Sequence, residues 1–234
     1  MDNNMDNNKE RFLSNLASQL GRSLKTQPEA LPEPVNLYPE QRLTELSDDE
    51  LYQYFLNTAQ LAGSTYETTT LSSLPKHLET LCEQYGLPVI LTGDPRLQES
   101  GVIDYLSEHC HANIWDHTEG KKNIERVKEA KVGIVFAEYG LAESGGVVLF
   151  SGADKGRSVG LIPETTIFVL KRSTILPRVA QLAERLHQMA LKNIRMPSCI
   201  NIISGPSCTS DIELIKVVGV HGSLNAIYVI IEDC

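Results

Sequence analysis

Short apolar runs alternate with amphipathic segments through the middle of the chain, and this alternation limits the fold more than any other feature. The run LPVILTG is followed by a helical pattern, ANIWD by a second one, and KVGIVFAEYG closes the series. Buried strands that alternate with helices are typical of a mainly parallel sheet. The runs VVLFSG and TTIFVLKR follow without a long helix between them, which predicts some antiparallel pairing. The pattern therefore predicts an α/β fold.

Three further segments have the apolar spacing of amphipathic helices. In SDDELYQYFLNTAQLAG, Ser47 and Glu50 have the spacing of a capping box. LSSLPKHLETLCEQYG has a proline near its start and a glycine at its end, as helices often do. RVAQLAERLHQMALKNI gives the clearest helical pattern of the chain.

The first 45 residues have a different character. KERFLSNLASQLGR has apolar residues at helical spacing and predicts a short amphipathic helix. TQPEALPEPVNLYPEQ contains four prolines, which remove backbone donors and disfavour helix, so it predicts an extended linker. We therefore expect residues 1–45 to be a helical appendage with a Pro-rich linker and residues 46–234 to be the α/β domain. The apolar face of the appended helix needs cover from that domain or from a partner.

Composition excludes several classes of protein. The 234 residues carry a formal net charge of −9 and a pI near 5.2, which argues against nucleic-acid binding because phosphates require clustered Lys and Arg. No apolar run approaches the roughly 18 residues that span a bilayer, and the first residues lack the pattern of a signal peptide. We expect a soluble, cytoplasmic protein with no membrane span.

Cysteine and histidine spacing predicts no metal and no cofactor. Five cysteines are irregularly spaced with no C-x-x-C pair, and an iron–sulfur cluster needs a tighter set of thiolates. His109, Cys110 and His111 are metal-ligand types, but their spacing is too compact for a tetrahedral zinc site without a distant fourth ligand. A helix end at the surface is the simpler interpretation of these residues.

Residues 131–163 hold the first candidate site. Glu138 and Glu143 lie five residues apart across a strand-to-turn transition, beside Ser144 and Gly145, and both carboxylates could point into one cleft. Buried together, they would form an acid/base pair, or one could act as an acyl-accepting nucleophile. We take Glu138 and Glu143 as the catalytic candidates and Ser144 and Gly145 as ligand-binding candidates. The alternative is a hairpin with a solvated turn.

The following loop, SGADKGRSVG, predicts binding of a small anionic ligand. Arg157 supplies a planar, permanently charged donor that suits a carboxylate or phosphate, and Ser158 follows it. The alternative is that Arg157 pairs with Asp154 or with a helix terminus.

ISGPSCTSDIE and GVHGS hold the remaining candidates for ligand binding. A strand runs into Gly205 and a group of hydroxyls that could cap a helix and direct its amides at a ligand. A plain helix start is the alternative. A histidine between glycines can exchange protons near neutral pH, although a turn histidine with a structural hydrogen bond is commoner. The candidates here are Gly205, Ser207, Asp211, Glu213 and His221.

The motifs AEYGLAESGG, GRSVGLIP, ISGPSCTSDIE and GVHGS, in this order and spacing, resemble the lactate-utilisation domain family from about residue 85 to the end. The resemblance implies a doubly wound α/β sandwich like that of the sugar-phosphate isomerases and CoA-transferases, with a site at the strand ends. It also implies a role in oxidising L-lactate to pyruvate with iron–sulfur sister proteins, in which this chain lacks redox centres.

Two hypotheses about function follow. The first is a subunit without catalytic activity that binds a small anion or a partner protein in lactate oxidation. The second is a stand-alone enzyme, similar to acyl- or CoA-transferases or sugar-phosphate isomerases, that uses Glu138 or Glu143. The sequence does not define the oligomeric state, and a homo-oligomer is among the assemblies we consider.

Overall fold

The computed structural model describes residues 3–25, 27, 30, 32–210 and 214–233. The chain separates into two compact units, Met1–Leu37 and Tyr38–Cys234. The first unit contains helix α1 (Asn3–Gln19), on which the predicted apolar residues Phe12 and Leu16 are exposed, and Leu20 directly after it is exposed as well. In the part of the chain that the structure describes, no helix has the length and apolar character to cross a membrane.

The second unit contains the remaining helices and strands. The helices are α2 (Tyr38–Gln41), α3 (Asp48–Leu61), α4 (Leu74–Tyr85), α5 (Pro95–Glu99), α6 (Val102–His109), α7 (Lys121–Glu129) and α8 (Val179–Leu191). The first strands are β1 (Thr65–Thr69), β2 (Val89–Leu91), β3 (Asn113–Ile114), β4 (Val132–Phe136), β5 (Tyr139–Leu141) and β6 (Gly146–Phe150). The later strands are β7 (Thr165–Lys171), β8 (Ile175–Leu176), β9 (Ile200–Ile203), β10 (Cys208–Thr209), β11 (Val217–Val218) and β12 (Asn225–Ile231). The capping box predicted from Ser47 and Glu50 is present at the start of α3.

A six-stranded parallel sheet forms the centre of the second unit, in the order β1-β12-β7-β4-β2-β3. From β2 the chain moves outward to β3, and from β4 it moves the opposite way through β7 to β12. Strands β2 and β4 are neighbours, so the winding direction reverses between them, which is the doubly wound arrangement. The predicted α/β fold with a mainly parallel sheet is confirmed.

Helices cover both faces of this sheet. On one face, α4, α5 and α6 bury residues such as Leu78 and Leu106 against Ile134 and Val229. On the other, α3 and α7 bury Phe55 and Val127 against Val135 and Phe168. Strand residues contribute to the two faces alternately, because successive side chains of a strand point in opposite directions.

The antiparallel pairing lies in a second sheet of four strands, in the order β8-β5-β6-β9. Strand β6 pairs antiparallel with β5 and with β9, whereas TTIFVLKR forms β7 and joins the parallel sheet. Helix α8 covers one face of the second sheet through Leu182, which packs with Leu141 and Val148. The other face contributes Val147 and Leu149 to the core that it shares with the central sheet.

Tyr228 joins the two sheets from the middle of β12. Its ring is fully buried, stacked on Phe55 with centroids 5.8 Å apart and edge-on to Phe168 at 5.7 Å. Its hydroxyl donates to the Gly145 carbonyl at 2.9 Å and approaches the Ile203 carbonyl at 3.4 Å. Burial raises the pKa of this phenol, so the hydroxyl keeps its proton and remains a donor. A buried carbonyl without a donor costs free energy. The hydrogen bond from Tyr228 therefore stabilises the attachment of the β5–β6 turn to β12.

We expect Tyr228→Phe to reduce the free energy of unfolding by about 1–3 kcal/mol, because the Gly145 carbonyl loses its donor while the ring packing is kept. Urea unfolding followed by circular dichroism measures the change. The control is Tyr66→Phe, since the Tyr66 ring also packs on this core and its hydroxyl makes no hydrogen bond among the described residues. Equal losses in the two variants would contradict the role assigned to the Tyr228 hydroxyl.

Candidate functional site

The residues that follow β2 and β4 meet at the carboxyl edge of the central sheet, where the winding direction reverses. In doubly wound sheets this reversal opens a crevice that commonly holds ligands, since the two connections leave toward opposite faces. Asp94 and Arg96 come after β2, and Glu138 comes after β4. The local sequence Asp94-Pro95-Arg96 begins α5, with the Asp94 carboxylate accepting from the Arg96 amide as its N-cap.

Four charged side chains form a compact cluster at this edge: Asp94, Arg96, Glu138 and Lys155, here called the switch-point cluster. The Arg96 guanidinium binds both oxygens of Glu138, each at 2.8 Å, and donates to Asp94 at 2.6 and 2.9 Å. Lys155 Nζ lies 2.8 Å from Glu138 and 3.0 Å from Asp94. The two carboxylates and the two cations balance, so the cluster carries no excess charge.

Asp94 is the most buried member of the cluster, with a side chain 1% exposed. Burial by itself raises the pKa of this carboxyl, but the hydrogen bonds and charge of Arg96, together with Lys155, outweigh burial and lower the pKa below its ordinary value. Arg96 also lies over the Phe136 ring, 4.3 Å from its centroid. The cluster therefore holds Asp94 ionised and fixes the geometry of the crevice.

The cationic loop between β6 and β7, residues 151–160, is held by contacts with the chain after β2 and after β3. Trp115 Nε1 donates to the Ala153 carbonyl at 2.9 Å, and the Gly93 amide donates to the Asp154 carbonyl at 2.8 Å. The Asp154 carboxylate faces His117 Nδ1 at 3.1 Å, so it does not take the partnership with Arg157 that the sequence offered as an alternative. Within the described residues, the side chain of Arg157 has one hydrogen bond, to Cys199 Sγ at 3.7 Å, and no carboxylate partner.

A small pocket, with a cavity volume of about 20 Å³ and an opening to solvent, lies beside the switch-point cluster. Its walls combine apolar side chains with polar and charged ones. They are Thr92, Asp94, Val135, Phe136, Leu149, Phe150, Ser151, Lys155, Gly156, Arg157 and Asn201. Thr92 is 4% exposed, and its hydroxyl has no hydrogen-bond partner among the described residues. Because the cluster is balanced, Arg157 is the cation that gives this first pocket its positive charge.

The structure separates Glu143 from Glu138. Glu143 lies in the turn between β5 and β6 and binds Arg178 at 2.9 Å and Arg42 at 3.2 Å, whereas Glu138 belongs to the switch-point cluster. The single cleft expected for the two carboxylates is replaced by two ion-pair clusters, because β5 runs between the residues. Catalytic roles for Glu138 and Glu143 stay predictions.

Ser144 and Gly145 make tertiary contacts in the same turn. The Ser144 carbonyl accepts from Ser204 Oγ at 2.6 Å. Gly145 has φ +59°, and a β-carbon on it would lie 2.2 Å from the Ala59 amide nitrogen in α3. Only glycine allows the turn to approach the helix so closely. Ligand binding by Ser144 and Gly145 stays a prediction.

A second pocket, with a cavity volume of about 340 Å³, contains other candidates from the sequence. Gly205, Ser207 and His221 line it, together with Ser204 and Cys208. Where a helix start was expected after Gly205, residues 208–209 pair with 217–218 as a short antiparallel ribbon, β10–β11. Asp211 and Glu213 lie outside the described residues.

Ser158 lies in the 3-10 turn Arg157–Gly160 between the two pockets, where its carbonyl accepts from the Ile162 amide at 3.0 Å. No three His, Cys, Asp or Glu side chains are grouped to hold a metal ion in the ranges that the structure describes.

Sequence reasoning missed Asp94, Arg96, Thr92 and Asn201 as site residues. A signal was present for the first two, since Asp-Pro directly after a buried strand marks a helix start at a strand's carboxyl end. Nothing in the sequence marked Asn201, which reaches the pocket because β9 pairs with β6.

Residues 47–231 match the model of the LUD domain. The chain belongs to the LUD domain family. The chain is 52% identical over 232 residues to "Uncharacterized protein YkgG" of Escherichia coli K12, with 98% of this chain and 100% of that protein covered. It is 39% identical to "Lactate utilization protein C" of Bacillus subtilis 168, with 97% of each chain covered. The corresponding protein of Halalkalibacterium halodurans is 38% identical, with 96% of this chain and 98% of that one covered.

A solved structure agrees with the LUD domain fold. The crystal structure of a DUF162 family protein from Deinococcus radiodurans aligns with a TM-score of 0.57, covering 80% of this chain and 99% of that one. The sequences are 20% identical, so this likeness concerns the fold alone.

We expect Asp94→Asn to lower the free energy of unfolding by about 3 kcal/mol at pH 7, because Arg96 and Lys155 lose a buried partner. A carboxyl whose pKa is lower in the folded than in the unfolded protein stabilises the fold at pH values above its unfolded-state pKa of about 3.9. That contribution is lost as the pH falls toward the folded-state pKa. Between about pH 5 and 3 the unfolding free energy of the variant should fall less steeply than that of wild type. Urea melts across this range measure both slopes. The exposed carboxylate of Asp104 gives the control, Asp104→Asn, which should leave the slope unchanged.

Gly156→Ala tests how the cationic loop is held. The dihedral angles of Gly156, φ −64° and ψ 126°, suit alanine, but a β-carbon there would lie 2.3 Å from the Trp115 ring. We expect a loss of about 1–3 kcal/mol in unfolding free energy and a changed emission spectrum of Trp115, the single tryptophan of the chain. The control is Gly152→Ala, since nothing lies within 4 Å of a β-carbon at that position. An unchanged spectrum in Gly156→Ala would refute the contact.

Proposed function

We propose that this chain is a component of an L-lactate utilisation system, in which it acts with iron–sulfur partner proteins in the oxidation of L-lactate to pyruvate and holds no redox centre itself. The support comes from the LUD domain match and from relatives named "Lactate utilization protein C" that cover nearly the whole chain. The functional unit that we assign to this role is the α/β domain, residues 46–234.

We further propose that the first pocket binds a small organic anion, such as L-lactate or pyruvate. The observation that carries this proposal is the Arg157 guanidinium, which lines the pocket without a carboxylate partner among the described residues. A guanidinium can bind both oxygens of a carboxylate through parallel hydrogen bonds. Asn201 and Thr92 add an amide and an unpaired hydroxyl for the remaining polar atoms of a hydroxy acid or oxo acid.

The contacts of the two glutamates favour this binding role over nucleophilic catalysis. Both oxygens of Glu138 are engaged by Arg96, and one of them also by Lys155. Glu143 lies between Arg178 and Arg42. A nucleophilic carboxylate needs an oxygen free to attack, and each of these carboxylates already contacts two cations. Unchanged ligand affinity in Glu138→Gln, together with loss of any turnover, would instead favour the enzyme hypothesis.

We expect L-lactate or pyruvate to raise the melting temperature of the wild-type chain. At a ligand concentration about 100 times Kd, binding to the native state adds about 2.7 kcal/mol to its stability. Arg157→Ala should weaken binding tenfold or more, because a hydrogen-bonded charge pair contributes about 1.5–3 kcal/mol. Thermal denaturation with each acid, and with acetate for comparison, measures the effect. The matched control is Arg185→Ala, an exposed arginine of α8. If neither acid raises the melting temperature of the wild-type chain, the proposal of an anion site is wrong.

The role in lactate utilisation is tested separately in cells. A strain without the gene should grow poorly on L-lactate as sole carbon source and recover with the wild-type copy. Complementation with Arg157→Ala should restore growth only in part, and a tagged wild-type chain should retain the iron–sulfur partners on purification. Full growth of the deletion strain on L-lactate would contradict the proposal.

A further inference from the structure

The two pockets of the α/β domain lie over neighbouring positions on the same face of the central sheet. Val135 of β4 lines the first pocket, and Phe168 of β7 lines the second. These two residues are direct partners in the β4–β7 register. Both belong to the core that α3 and the second sheet cover, so the pockets open on one side of the sheet.

The opposite walls of the two pockets are continuous as well. On β9, Asn201 lines the first pocket, and the next residues along the strand, Ile202 and Ile203, line the second. The 3-10 turn Arg157–Gly160 places Arg157 at the first pocket and Gly160 at the second. A β-carbon on Gly160 would lie 3.3 Å from Leu149 Cδ1 and 3.4 Å from Val135 Cγ1, and both of those side chains line the first pocket. Gly160 thus lines the second pocket and packs closely against two wall residues of the first.

The chemistry of the walls differs between the two pockets. The first carries the positive charge of Arg157 beside the balanced switch-point cluster. Among the described residues, the lining of the second pocket has no Asp, Glu, Lys or Arg. Its walls combine apolar surface, from Leu161, Phe168 and Ile203, with the hydroxyl of Ser207 and the imidazole of His221. The cavity volume of the second pocket, about 340 Å³, exceeds what the tail of a three-carbon acid fills.

We propose that the two pockets form one bipartite cleft for an elongated organic carboxylate. Its carboxylate is bound at Arg157, and its neutral, largely apolar body extends past Gly160 into the second pocket. This inference rests on the proposed function for the position of the carboxylate, and it adds that the natural ligand is longer than lactate or pyruvate. A site of this kind binds a long hydroxy acid more tightly than a short one, because each buried methylene contributes about fourfold in affinity.

Isothermal titration calorimetry of the full chain with L-lactate and with 2-hydroxyoctanoate tests this inference. We expect 2-hydroxyoctanoate to bind at least tenfold more tightly than L-lactate. Arg157→Ala should weaken both acids. Cys208→Tyr, which adds a large ring to the wall of the second pocket, should remove the advantage of the long acid and leave L-lactate unchanged. The matched control is Ser210→Tyr, because Ser210 is exposed and does not line the pocket.

A second variant tests the same pocket if Cys208→Tyr does not fold. Leu161 is 40% exposed, so Leu161→Ser has a small effect on folding and still removes apolar wall from the second pocket. It should reduce the affinity for 2-hydroxyoctanoate several-fold and leave that for L-lactate unchanged.

The outcomes separate the two proposals. Equal affinities for the two acids, or equal effects of the second-pocket variants on both, would overturn the bipartite cleft and leave the proposed function standing. Binding of 2-hydroxyoctanoate alone, sensitive to both Arg157→Ala and Leu161→Ser, would support the cleft and count against L-lactate as a ligand of this chain.

Discussion

Arg96 binds Asp94 and Glu138 at the same time, and Lys155 adds the second positive charge that balances them. These contacts connect the end of β2, the end of β4 and the loop after β6, which are three of the segments that line the first pocket. A half-buried group of charges is stable only when it is complete, since removing one member leaves its partners desolvated and unpaired. The geometry of the pocket therefore depends on these four side chains together, and the positive charge offered to a ligand comes from Arg157 outside them.

The sequence predicted those parts of the fold that depend on interactions between residues close together in the chain. The alternation of apolar runs and amphipathic segments indicated the parallel sheet, and Ser47 with Glu50 indicated the start of α3. These patterns arise from side-chain period, capping and burial, all of which act within about ten residues. These local patterns could not predict which strand joins which of the two sheets. Strand β6 and strand β7 are both apolar runs, and their partners are chosen by packing between distant segments.

The candidate site was predictable only where its residues are close in sequence. Lys155 and Arg157 share a loop, and their positive charge indicated an anion site. Glu138 and Glu143 are also neighbours in the chain, but each takes its ionic partners from 17 or more residues away. Such partners follow from topology, and a turn rich in glycine and serine can serve tertiary packing as well as a ligand. Gly145 illustrates this point, because its missing side chain makes room for the backbone of α3.

The two edge strands of the central sheet limit how this chain can bind other proteins. One edge strand, β1, has the polar sequence Thr-Tyr-Glu-Thr-Thr, and the other, β3, is only two residues long. A charged or very short edge is a poor template for an additional strand, which protects the open sheet against aggregation. Partner proteins are therefore expected to recognise this chain through side-chain surfaces and not by extending its sheet.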